Sequence, residues 1–167
     1  SWPEWAREAR SAGLDLEHIF SPGFDLWSEP ASGAIAVVGG GITAAQAATA
    51  LADDGEVPVL LLRRHPLRVH QFDSDPGWLG PLHLSAFRAL PPGPERRRAI
   101  DAARHRGSVP PEVASRLGAA VRRGTLRVHE AEVLSSSPAG DGEVSLRLST
   151  GASIAVRHVV LATGFDR

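Results

Sequence analysis

The run Ala34-Ile35-Ala36-Val37-Val38 leads directly into Gly39-Gly40-Gly41, and Thr43 to Ala52 follows as a stretch of good helix formers closed by Gly55. Five apolar residues halted by glycines read as a short strand buried on both faces, because a strand with one wet face would alternate with polar residues. Val57 to Leu62 is a second run of the same kind. Strand, tight turn, helix and strand within about 30 residues make a βαβ unit. Such a unit obliges two strands to run parallel with a helix laid over one face, so the fold class is α/β.

The remaining sequence is read from its breakers. Residues 1–33 hold Trp2, Trp5 and Trp27 with little periodicity, and read as a connecting arm with one short helix around Glu4 to Ala12. Residues 34–167 then form the nucleotide-binding unit, one domain by length. Between 64 and 93 the prolines at 66, 76, 81, 91 and 92 predict mostly loop, with a short helix near Leu84 to Ala89. Helices over Pro94 to Arg106 and Pro111 to Arg123 each start on Pro-Glu and stop at a glycine. Leu126 to Leu134, Glu143 to Ser149, Ala152 to Val156 and Val159 to Ala162 read as strands. The first three suggest an antiparallel meander, and the last a return to the parallel sheet.

Composition removes several chemistries. The 18 basic and 19 acidic residues leave a formal net charge of −1, without the positive field of a general nucleic-acid binder. There is no Cys, and every basic residue counted is Arg, so thiolate metal sites, a nucleophilic cysteine, a Walker lysine and a Schiff-base lysine are absent. The seven histidines show no compact ligand spacing, and no metal site is expected. No apolar run approaches the roughly 18 residues that cross a bilayer, and no signal segment opens the chain, so a cytoplasmic location is expected. A chain that begins at Ser1, lacks Met and stops at Arg167 reads as a piece of something longer.

The chemistry lies in Gly39-x-Gly41-x-x-Ala44. In this pattern the first glycine permits the turn, the second lets backbone approach a diphosphate, and the third position needs only a small residue for helix-to-strand packing. The diphosphate would rest on free N–H groups where the helix begins, at Gly40, Ile42 and Thr43, near the positive end of the dipole. A glycine turn alone is a weak signal; one that follows a strand and opens a helix has the context the motif requires.

The end of the second strand refines the ligand. An NAD or FAD domain carries Asp or Glu there to bond a ribose hydroxyl, whereas this chain has Arg63-Arg64. A carboxylate would repel a 2′-phosphate; a guanidinium holds it with paired charge-assisted hydrogen bonds. Arginines at a strand end are often only a solvated edge, but Arg63 stands 24 residues after Gly39, near the acidic residue's usual place. The reading is NADP(H), with Arg63 first, Arg64 second, and His65 and Arg68 able to assist. Asp73 and Asp75 read as a solvated Asp-Ser-Asp-Pro turn. Arg96, Arg97, Arg98, Arg104 and Arg106 read as a basic helix face.

With Val159-Val-Leu-Ala-Thr-Gly-Phe-Asp166 added, the chain resembles the NADPH-binding domain of flavoproteins with two dinucleotide domains. The flavin-containing monooxygenases and the ornithine or lysine N-hydroxylases are the nearest in pattern. In those families an inserted domain opens on a strand like Ile35 to Gly39 and closes on an Ala-Thr-Gly-Tyr-like motif, here Ala162-Thr163-Gly164-Phe165. The resemblance covers residues 34–64 and 143–166. The stretch from His70 to Gly80 looks like the signature of a bacterial subgroup of such proteins.

The resemblance implies an FAD/NAD(P)-binding Rossmann-like domain in three layers: a central parallel sheet, helices on one face and an antiparallel β-meander on the other. It implies that Thr163 and Gly164 join the cofactor site and that FAD is held by another domain of the same parent chain. The implied activity is hydride transfer from NADPH to flavin in an FAD-dependent oxidoreductase, with a monooxygenase leading and this fragment alone inactive. A flavin-linked reductase without oxygenase activity and a non-enzymatic nucleotide-binding module are the alternatives. Catalytic residues and substrate are not readable from this segment.

Overall fold

Three apolar runs, Ile35–Val38, Val59–Leu62 and Val159–Leu161, have no polar alternation because each must be buried on both faces, and in the computed structural model they become the heart of one parallel sheet. The structure describes residues 2–27, 32–55 and 57–164. In chain order the elements are α1 (Glu4–Ser11), β1 (Leu16–His18), β2 (Ile35–Val38), α2 (Ile42–Asp54), β3 (Val59–Arg63) and β4 (Arg68–Val69). A 3-10 turn at Pro76–Leu79 leads into α3 (Pro81–Ala89), α4 (Pro94–Ala103), β5 (Ser108–Val109) and α5 (Pro111–Arg123). The chain ends with β6 (Leu126–Glu130), β7 (Val133–Gly140), β8 (Glu143–Leu148), β9 (Ser153–Val156) and β10 (His158–Leu161).

The sheet order is β1-β10-β2-β3-β6, every pair parallel. Alternate residues supply two cores. Ile35, Val37, Val59, Leu61 and Val160 face α2 and α5, while Ala36, Leu60, Leu62, Val159 and Leu161 face the antiparallel meander β7-β8-β9 and α1. This is the three-layer arrangement read from the sequence.

Local chemistry explains the boundaries. α2 is so rich in alanine that it lies close on the sheet, burying Ala44, Ala45, Ala47, Ala48 and Ala52. It stops at Gly55 and α5 stops at Gly124, both left-handed caps that a side chain would resist. Asp53 of α2 pairs with Arg116 and Arg123 of α5, tying the two helices of this layer together. In the meander, Asp141 and Gly142 both take positive φ, the two-residue hairpin turn that matches strand twist.

Several elements differ from the pattern reading. Residues 126–134 read as one strand, but the structure divides them: β6 belongs to the parallel sheet and β7 to the meander. The chain changes layer at Ala131 and Glu132, where Ala131 N donates to Arg63 O at 2.8 Å and Glu132 N donates to Ser149 Oγ at 3.0 Å. The helix read over 94–106 ends at Ala103, because Arg104 turns extended and its guanidinium bonds the Asp73 carboxylate at 2.5 and 2.8 Å. The helix read near 84–89 starts earlier, with Pro81 in its first turn.

Residues 4–18, within the segment read as an arm, supply a helix packed on β7 through buried Ala6 and Ala9 and an edge strand beside β10. The excursion between β3 and α5 is different in kind. Its 3-10 turn, α3 and α4 bury no residue, and it is fixed at its base by the parallel pair β4-β5 and the Asp73–Arg104 contact.

Candidate functional site

In an open parallel sheet, ligands collect where consecutive connections leave in opposite directions, beyond the carboxyl ends of the strands. Here that place is between β2 and β10. From β2 the chain moves through β3 to β6 on one side, then returns to place β10 on the other. A crevice of about 1190 Å³ opens there, above the roughly 1,000 Å³ upper range of drug-sized ligand sites, so an extended ligand fits.

The glycine turn forms its floor. Gly39 N donates to Leu62 O at 3.0 Å, and a Cβ added at Gly39 would lie 2.4 Å from Ala162 O and 2.9 Å from the Ala44 Cβ. Gly39 and Ala44 therefore let α2 start tight against the junction of β2 and β10. Gly41 is the N-cap and offers no side-chain cap, and no acidic residue stands in the first turn. The first intrahelical bond of this end is Ala45 N to Gly41 O at 3.1 Å, so the N–H groups of Ile42, Thr43 and Ala44 have no helical acceptor. The helix end carries roughly half a positive charge, and Gly39, Gly40, Gly41, Ile42 and Thr43 all line the crevice.

Thr163 and Gly164, after β10, line it from the neighbouring strand end. Ala44 is buried behind the turn rather than on the surface of the crevice. Phe165 and Asp166 lie outside the described residues.

The two arginines part company. Arg63 is opposite Glu130 in the β3–β6 register and its Nη2 lies 3.7 Å from Glu130 Oε2. Its side chain is 17% exposed, its Nε and Nη1 are buried without a hydrogen-bond partner, and it does not line the crevice. Arg64, one residue on, is exposed, lines the crevice and makes no ion pair with a described residue. The offset is geometric: Arg63 ends the strand on the side opposite Leu62, and Arg64 begins the turn toward the glycines.

Tertiary structure adds residues from the excursion and from α1. Arg68, Asp73, Arg106, Gly107 and Ser108 line the same crevice, with Glu4, Trp5, Glu8 and Glu132 across from them. Arg106 is not on a helix face, since α4 has already ended; it pairs with Asp101, and its carbonyl accepts from Arg68 Nη1 at 3.3 Å. Asp75 has a structural task, its Oδ1 accepting from Gly77 N at 2.7 Å to cap the 3-10 turn. The prolines between 66 and 92 mark a long loop in the sequence, and nothing in their spacing says that His65, Arg68, Asp73 and residues 106–108 return to the crevice beside the glycines.

Among the described residues there is no group of three or more side chains able to hold a metal, and no helix is long and apolar enough to cross a membrane. A family model described as FAD-NAD(P)-binding matches residues 111–166, less than half of the chain. No curated protein matches in sequence.

Among solved structures, the reduced form of ornithine hydroxylase from Pseudomonas aeruginosa is similar with a TM-score of 0.64 at 22% identity, over 81% of this chain and 36% of that one. L-lysine 6-monooxygenase from Pseudomonas syringae gives 0.68 at 21% identity, over 100% of this chain and 44% of that one. Ornithine N-hydroxylase from Kutzneria sp. 744, in a structure named for reduced FAD, NADP+ and L-ornithine, gives 0.58 at 20% identity, over 80% and 36%. The chain thus spans less than half the length of these proteins, and shares with them the three-layer fold of FAD- and NAD(P)-binding domains.

Proposed function

We propose that this chain is the NADP(H)-binding domain of a larger FAD-dependent oxidoreductase of the monooxygenase kind, and that the crevice between β2 and β10 is its cofactor site. The observation that carries the reading is the uncapped N-terminus of α2 at the switch point, with a crevice-lining guanidinium, Arg64, at the end of the next strand. The chain's own groups fit the cofactor. Free N–H groups at Ile42 and Thr43 suit a diphosphate, and Gly39 leaves no side chain between the phosphates and the strand junction. Arg64 suits a 2′-phosphate, and Arg68 lines the same crevice.

The chemistry supplied when both cofactors are bound is hydride transfer from nicotinamide to flavin. The protein's contribution in this domain is to grip the donor and fix its orientation. Thr163 and Gly164 line the same crevice as the glycine turn, and in this reading they shape the path toward the nicotinamide end. In this reading the flavin is held by another domain of the larger protein.

The test is calorimetric titration with NADP+ and with NAD+. Arg64→Ala should weaken NADP+ roughly ten- to hundredfold, the loss of a charge-assisted contact worth about 1.5–3 kcal/mol, and leave NAD+ nearly unchanged. Equal loss for both nucleotides, or no loss for either, would overturn the assignment of Arg64 to the 2′-phosphate.

A further inference from the structure

We infer that His65 is a direct ligand of the dinucleotide's diphosphate and that it takes up a proton when the diphosphate binds, an inference that rests on the dinucleotide reading of the crevice. His65 follows Arg64 and lines the crevice. A Cβ added at Gly40 would lie 3.1 Å from its Cε1 and 3.2 Å from its Nε2, and one added at Gly107 would lie 3.5 Å from both atoms. The ring is thus set between the glycine turn and the returning end of the excursion, with its Cε1–Nε2 edge toward the turn. That is where the free N–H groups of α2 would hold diphosphate oxygens.

The other ring nitrogen settles the tautomer. Nδ1 lies 2.9 Å from the Pro66 carbonyl oxygen, which can only accept, so Nδ1 carries the hydrogen. In the neutral ring Nε2 is then a bare lone pair, and it has no hydrogen-bond partner among the described residues. A lone pair repels a phosphate oxygen. The imidazolium donates from both nitrogens and keeps the Pro66 bond, so a phosphate contact at Nε2 requires one added proton.

The charged groups around the ring are Arg64, Arg68 and Arg106 in the same crevice, Asp73, which is held by Arg104, and the positive end of α2. Glu4, Glu8 and Glu132 line the crevice from α1 and from the link between β6 and β7. In this setting the protonated ring gains an anionic partner from the nucleotide itself. Because binding takes up a proton, affinity rises as pH falls.

The experiment is titration of the chain with NAD+, which has the diphosphate without the 2′-phosphate, in buffers of different ionisation enthalpy at about pH 7.5, repeated across about pH 6 to 8. The expected result is net proton uptake, with affinity several-fold higher at the acid end, and the same uptake contribution with NADP+. His65→Gln, which keeps a neutral N–H donor, should abolish the uptake and flatten the profile while leaving the nucleotide-free melting temperature unchanged. Uptake that persists in His65→Gln, a flat wild-type profile, or uptake seen with NADP+ alone would each overturn the inference. A wild-type chain that binds NAD+ without proton linkage sinks His65 and spares the dinucleotide reading; one that binds neither nucleotide sinks both.

Discussion

Two residue positions separate what a motif requires from what a neighbour decides. Gly39 is legible in the sequence because the fingerprint needs a bare backbone there, and the geometry gives the reason in distances: an added Cβ would lie 2.4 Å from Ala162 O. Gly39→Ala should cost about 1–3 kcal/mol, an overpacking penalty at the meeting of β2, β10 and α2, measured as a lower urea midpoint. Arg63 and Arg64 could not be ranked in this way. A shift of one residue at a strand end reverses the direction of the side chain, and Glu130, far away in sequence, draws Arg63 aside. A largely buried guanidinium with two unpartnered nitrogens contributes little net stability. Arg63→Met should therefore leave stability unchanged or raise it by up to about 2 kcal/mol, with the NADP+ to NAD+ affinity ratio as in the wild type. Selectivity that collapses in this variant would return the phosphate contact to Arg63.

At the scale of elements, the helices that pack on the sheet were the most legible, because their start and stop signals are local: Pro111 opens α5 and Gly124 closes it. β6 and β7 were not. Their apolar residues run on without a strong breaker, and the division at Ala131 exists only because one layer ends there and another begins. β1 was hidden for a related reason, since three residues, Leu16 to His18, form a strand only through β10 beside them. The excursion carries its own prediction. Its α3 and α4 bury nothing and leave Leu79, Leu82 and Phe72 exposed, so their backbone bonds lack a core to protect them. Amide exchange should show protection of about 0–3 kcal/mol in α3 and α4 and about 5 kcal/mol or more in β2, β3 and β10. Equal protection throughout would mean that the excursion unfolds with the sheet.

For the whole molecule, the crevice joins parts of the chain that unfolding separates: the glycine turn, the excursion, the link between β6 and β7, and the end of β10. A nucleotide held there binds only the folded state. At about 100 times its dissociation constant NADP+ should add about 2.7 kcal/mol, raising the melting temperature by roughly 5–11 °C for a domain of this size. A melting temperature that ignores saturating NADP+ would argue against any site assembled from these segments.

The sequence by itself determined the βαβ unit, the glycine turn and the α/β class, because each rests on residues within one or two turns of each other: apolar runs, small residues, caps. Tertiary structure alone decided which arginine reaches the crevice, where one sheet gives way to the next, and that His65 and Gly107 meet over the glycines. Those outcomes depend on contacts between distant segments, whose geometry is fixed only when all three layers pack at once.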